Sequence, residues 1–283
     1  MADKSRFLRT FKLIIEVDNK IIEVLPPLKI VFNANKSIFG GLNKMTMQVF
    51  NLKEDTRLRL VKDKEQVKII KYSLEVGYVG MGGNKGRTEL IFKGTVQEGS
   101  NSREGADILT TIDTMDGGTD FLNSYTSMTV RPGAKPIEEI INNDMPNTEI
   151  GKIDKKDNLT RPKVLVGNSV DLIEKSLNPG ETWYIENEKF YVIKDTDTTS
   201  KFIPIVSADT GLTSTPTRKD KVVTFSSLMN PSIKIGERVK LISSTAPHLD
   251  GIYRVDTINY AGDNYGQEWD QIVTARLFSG KII

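Results

Sequence analysis

The sequence predicts a mainly β protein with a smaller α+β part. Three observations predict it. Two blocks, near residues 11–122 and 202–277, are rich in short runs that alternate apolar and polar side chains, a period of two that lays the apolar set on one face of a strand. Turn signals separate those runs. The segment between the blocks instead carries helical spacing, with Ile137, Ile140, Ile141 and Met145 on one face.

The elements follow in order. Phe11, Leu13, Ile15 and Val17 alternate with Lys12, Ile14, Glu16 and Asp18, so 11–17 is a strand. Asp18-Asn19-Lys20 turns the chain, Ile21 to Leu25 returns as a hairpin, and Pro26-Pro27 ends that unit. Leu28 to Phe32 and the run holding Met45, Met47 and Val49 are further strands. Asn51 is expected to cap a short helix, with Glu54 completing a capping box and Leu58 and Val61 facing the core. Val67 to Tyr78 is strand with its apolar phase shifting between Ile69 and Leu74, which predicts two strands or a bulge. Leu90 to Val96 pairs back across a glycine-rich turn, Ile108 to Thr114 adds a strand, and Asp116-Gly117-Gly118 closes the block.

Pro146 stops the first helix of the middle segment. A second helix opens at Asn168 or Ser169, buries Val170, Leu172, Ile173 and Leu177, and ends at Pro179-Gly180. Trp183 to Ile185 and Phe190 to Ile193 form a hairpin across Asn187-Glu188. The polar run Thr196 to Ser200 is the expected boundary. Strands then fall near 202–206, 222–225, 238–242, 253–260 and 271–277. The predicted domains are 1–128, 129–200 and 201–283.

Composition narrows the chemistry. With 283 residues, 38% of them hydrophobic, the chain can hide about 75% of its extended surface. Lys and Arg number 39 against 37 Asp and Glu, a balance that gives no general attraction to nucleic acid or membrane. There is no cysteine, which removes disulfides, thiol nucleophiles and zinc ribbons. The apolar run Leu13-Ile14-Ile15 is too short for a signal peptide, and no run approaches a membrane helix.

Individual candidates favour plain roles. In Gly77-Tyr78-Val79-Gly80-Met81-Gly82-Gly83-Asn84-Lys85-Gly86, Lys85 follows Asn84 and a strand comes next. A phosphate loop needs Gly before the Lys and a helix after it, so this is a hairpin tip. His248, the one histidine, lies in a turn, and Gly167-Asn168-Ser169-Val170 opens a helix rather than a nucleophile elbow. Glu138-Glu139 and Asp113/Asp116 are the carboxylates that could serve as an acid and a base. Asp154 to Asp157 falls short of a calcium loop. Tyr253, Tyr260, Tyr265 and Trp269 suit a core or a subunit interface.

The order of these elements resembles the baseplate hub family of contractile phage tails, related to phage late control D proteins and to the N-terminal hub part of type VI secretion spikes. The matching stretches are Met45 to Arg57, Val76-Gly77-Tyr78 with Ile91 to Val96, and Gly105-Ala106-Asp107 leading into Thr110 to Asp113 and Asp116-Gly117. Gly167-Asn168, Leu172 to Leu177 and Trp183 to Ile185 resemble the family's middle domain. Thr210-Gly211-Leu212, Pro216, Leu228 to Pro231, Ile235-Gly236, Gly251 to Tyr253 and Gly262-Asp263 with Trp269 resemble its last barrel.

The resemblance implies two tube-like antiparallel β-barrel domains with an intervening α+β domain. It implies a homotrimeric ring that joins the tail tube to the spike protein, with DNA only as passing cargo. Tail tube protein, tape-measure protein and baseplate wedge proteins are the further partners implied, within a virion baseplate assembled in the host cytoplasm. No catalytic residue, cofactor, metal or membrane is expected. The hairpin bearing Gly77, Tyr78, Gly80, Gly82, Gly83 and Gly86 is the expected subunit contact. The competing readings are a β-rich tail protein that binds host-surface glycan and a carboxylate-dependent cell-wall hydrolase.

Overall fold

The computed structural model describes residues 7–63, 68–79, 87–153, 159–194, 197–199 and 202–279. The opening alternation forms strand β1 (Phe7–Val17), with Phe11, Leu13, Ile15 and Val17 all buried. Asp18 and Asn19 take left-handed backbone angles, as a two-residue hairpin turn requires, and β2 (Lys20–Val24) pairs back on β1. Next come β3 (Ile30–Ser37) and β4 (Lys44–Phe50), a hairpin whose Met45, Met47 and Val49 face the core.

The short helix α1 (Glu54–Leu60) differs from expectation. Its N-cap is Lys53, without a side-chain cap. Asn51 instead accepts from the Ile108 amide (3.0 Å) and donates to Asp107 (2.8 Å), tying two strand ends together. Leu58 and Val61 are exposed, while Leu52 and Leu60 are buried. The late start rotates the helix, so the residue facing the core is Leu60.

The first block continues through β5 (Lys71–Val79), β6 (Arg87–Glu104) and β7 (Asp107–Met115). Ile70, Tyr72, Leu74 and Val76 keep one inward phase, and Ile69 lies before the strand, half exposed. The irregularity belongs to the partner: Leu74 faces Phe92 and Glu75 faces Leu90, so Ile91 is the extra residue of a bulge on β6. Consecutive burial of Ile91 and Phe92 follows from it.

The middle of the chain supplies α2 (Gly118–Asn123), β8 (Tyr125–Val130), α3 (Pro136–Asp144), β9 (Glu149–Ile153), β10 (Lys163–Asn168), α4 (Ser169–Glu174), β11 (Glu181–Glu186) and β12 (Lys189–Lys194). Asn168 does cap α4, accepting from the amides of Val170 and Asp171. That helix stops at Glu174, ahead of Pro179, and Leu172 and Leu177 are only partly buried. Asn187 and Glu188 turn the β11–β12 hairpin with positive φ. β9 joins β12 in parallel, while β8 and β10 form a separate two-stranded ribbon.

The polar run 196–200 is packed where it is described. Asp197 and Thr198 are buried, and Thr198 donates to the Gly236 carbonyl at 2.9 Å. The last block then forms β13 (Ile205–Val206), β14 (Thr217–Lys219), β15 (Val222–Leu228), β16 (Arg238–Leu241), β17 (Gly251–Asp263) and β18 (Trp269–Leu277). Phe202 is exposed and precedes its strand. β14 has no apolar residue to signal it.

Both blocks share one sheet. Its main path runs β14-β15-β18-β17-β3-β4-β7-β6-β5-β1-β2, with β13 and β16 attached beside β17. The joint is β3, which takes β4 on one side and β17 on the other. Pairing is antiparallel except between β13 and β16. One large core runs beneath both blocks, and a second lies between α3, α4, β8, β10 and the inner face of β11–β12. Trp183 and Phe190 stack into the second core, and Tyr184 faces the first. The three-stranded sheet is thus the wall between the two cores.

Candidate functional site

The carboxylates suggested as an acid and base do not converge. Asp113 accepts from Thr46 on the exposed side of β7, while Asp116 is fully buried beyond the strand end. Glu138 pairs with Lys135 (2.6 Å) and Glu139 accepts from Asn143 (3.2 Å) on the outer side of α3. His248 is exposed in a 3-10 turn, Pro247–Leu249. Among the described residues no group of three or more His, Asp or Glu side chains could hold a metal. The suggested calcium loop, 154–157, lies outside the described residues. Tyr253, Tyr260 and Trp269 are buried, and Tyr265 is exposed with its hydroxyl on the Pro27 carbonyl.

What the structure does concentrate is charge at the seam between the large sheet and the β11–β12 hairpin. The Asp116 carboxylate accepts the Asn187 and Glu188 amides, each at 2.6 Å. Asn43 donates to the Ile185 carbonyl at 2.6 Å. Lys36, buried on β3, donates to Glu186 at 2.8 Å, and Lys93 pairs with Glu188 at 2.6 Å. Burial pushes the Asp116 carboxyl up to about 7, opposed by the Lys36 ammonium and reinforced by Glu186. Gly117 passes this point with φ +66, and a Cβ there would meet the Ile185 side chain at 2.7 Å. A cavity of about 330 Å³ opens beside the seam, walled by the stacked rings of Tyr184 and Tyr191. These groups are matched in pairs, and the arrangement holds two sheets in register.

The suggested contact hairpin is described only at its base. Gly77 is buried in β5 between Thr10 and Thr88, and Tyr78 lies beside it. Gly80, Gly82, Gly83 and Gly86 lie outside the described residues. At that base, Arg9 donates to the carbonyls of Asp263 and Gly266 (2.6 Å each), of Gln267 (2.9 Å) and of Glu268 (3.3 Å). The guanidinium also lies over Trp269. This clasp draws β1 back to the turn between β17 and β18, although the two are far apart along the sheet path. No sequence motif announces it, because four backbone carbonyls recognise any well-placed cation. The path itself ends at β2 and β14, with Ile21 70% exposed on β2.

A family model described as baseplate hub gp41 matches residues 10–274. Among curated proteins, no sequence matches the chain. Among solved structures, the fold is similar to the 43 kDa tail protein of prophage MuSo2 from Shewanella oneidensis: TM-score 0.61, 9% identity, 94% of this chain and 96% of that one. It is similar to a tail protein from Neisseria meningitidis, with TM-score 0.62, 9% identity and the same coverage. It also resembles an E. coli component of the type VI secretion system, with TM-score 0.60, 8% identity, 94% of this chain and 77% of that one. At such identities the likeness is one of fold.

Proposed function

The chain belongs to the baseplate hub gp41 family, and from that premise we propose that it is the structural hub of a contractile phage tail. Three copies form a ring that links the tail tube to the central spike and lines part of the DNA channel. The supporting observation is the family match across residues 10–274, joined to a sheet whose two ends are open among the described residues. Open edges invite pairing with another chain, and head-to-tail contacts close into rings. Within this reading the two strand-rich blocks are tube-like barrel domains, 1–128 and 201–283, and 129–200 is the inserted α+β domain. The base of the Gly77–Gly86 hairpin stands next to the Arg9 clasp, where a neighbouring subunit would reach both blocks.

The partners of this ring are the spike protein and the tail tube protein, with tape-measure and wedge proteins around it in the virion baseplate. A role without catalysis is also supported by the seam, where Lys36 is paired with Glu186 and Asp116 is held by the Asn187 and Glu188 amides. Native mass measurement tests the reading. The expected result is a trimer, alone or once spike protein is added. A monomer that stays monomeric with both spike and tube proteins present overturns it. Deleting 80–86 is expected to abolish ring assembly, and normal assembly of that variant would remove the hairpin from the interface.

A further inference from the structure

The ribbon formed by β8 and β10 is half finished. Its inward side chains, Thr126, Val130 and Leu165, are buried on the second core. Its outward face is bare: Tyr125, Val164 and Val166 are 62%, 68% and 56% exposed. The register sets them on one face, with Val164 opposite Thr129, Val166 opposite Ser127 and Asn168 opposite Tyr125. Neither strand has a third partner among the described residues, so each presents a row of main-chain donors and acceptors. A native edge is usually protected by a charge or proline within the strand; β10 carries one charge, Lys163 at its first position, and Val164 to Gly167 carries none.

One end of the ribbon is basic. Arg131 follows β8, Arg161 stands just before β10, and Lys163 pairs in register with Val130. All three are exposed, and none has an ion pair or side-chain hydrogen bond among the described residues. Three cations unpaired among the described residues, beside an open strand with apolar flanks, define the chemistry of a suitable neighbour.

We propose that the free edge of β10 docks an extended, strand-forming segment of another protein. Alternate side chains of that segment cover Val164 and Val166, and its acidic end lies beside Arg131, Arg161 and Lys163. Main-chain pairing supplies the attachment and the charged end sets the direction. A second copy of this chain fits less well, because antiparallel pairing of two β10 strands leaves the cations at both ends without acidic partners. The inference goes beyond the hub reading and holds whether or not three copies form a ring.

The test uses the full chain and fluorescein-labelled eight-residue peptides of alternating Val and Thr, ending in either three Glu or three Lys. Fluorescence anisotropy at low salt is expected to show at least tenfold tighter binding of the Glu-ended peptide. Val166→Lys should abolish that binding. Joint Arg131→Glu, Arg161→Glu and Lys163→Glu should reverse the preference. Hydrogen exchange should show β10 amides protected by the Glu-ended peptide, a readout in the unaltered protein that does not depend on how the variants fold. Equal binding of both peptides, or binding of neither, overturns the proposal. So does a concentration-dependent dimer of the unaltered chain that Val166→Lys returns to monomer, which would assign the edge to a second copy.

Discussion

Asp116 makes the stability of the fold depend on pH. Its ordinary value is 3.8, and burial raises it to about 7 in the folded chain. Between those values the folded chain keeps a proton that the unfolded chain has lost. Its contribution to stability is therefore complete below the ordinary value and is lost as pH rises toward 7. The gap corresponds to at most about 4 kcal/mol. Urea unfolding between pH 5 and 8 is expected to show a steeper fall in stability for the unaltered chain than for Asp116→Asn. Equal slopes would mean that Asp116 does not carry the effect. Glu186→Ala strands the buried Lys36 ammonium and is expected to cost about 3–5 kcal/mol in the same measurement. The sequence offered Asp116 with Asp113 as carboxylates that could serve as an acid and a base, and as the start of the turn that closes the first block. Its partners, the amides of Asn187 and Glu188, lie 71 and 72 residues away, and no local pattern points to them.

Elements were legible where packing obeys one period. The β1 alternation, the α3 face of Ile137, Ile140 and Ile141, and the Asn168 cap all stand in the structure as their residues suggest. Asn168→Ala is expected to cost about 1 kcal/mol, the usual loss for an N-cap, measurable by chemical denaturation. The Asn51 signal failed because Asn serves a strand end as readily as a helix start. Gly99 shows a second kind of illegibility. It pairs with Lys62 after α1, and a Cβ there would collide with the Leu60 carbonyl. Gly99→Ala must push helix and strand apart, and a loss of about 2–4 kcal/mol is expected. An unchanged unfolding midpoint would show that α1 can move away freely. Nothing around Gly99 in sequence distinguishes it from a turn glycine.

Across the whole molecule the large core includes Phe11 and Ile15 from the start of the chain and Val255 and Val273 from its end. Unfolding is accordingly expected to be one cooperative transition by calorimetry, with two resolved transitions counting against it. Residues 1–128 alone lose β17 from the edge of β3 and are expected to lack a dispersed amide spectrum. These expectations fit two strand-rich blocks that share one core. Arg9→Ala removes the clasp on the β17–β18 turn, where the Asp263 carbonyl is part-buried and the Gly266 carbonyl can turn to water. A loss of about 0.5–1.5 kcal/mol is expected, measurable as a lower unfolding midpoint.

The sequence by itself determined the mainly β class, most strands, two of the three middle helices (α3 and α4, but not α2), and the order of motifs that marks the hub family. Periodicity and turn chemistry are local, so they can be read without knowing what lies across the sheet. Only the tertiary structure decided that β3 joins the two blocks, that β8–β10 stands apart with an open edge, and that Asp116 and Lys36 hold the hairpin. Each of those depends on which distant strand takes a free edge. A strand offers the same hydrogen bonds on both sides, and its alternation tells which face is buried but not which neighbour it meets.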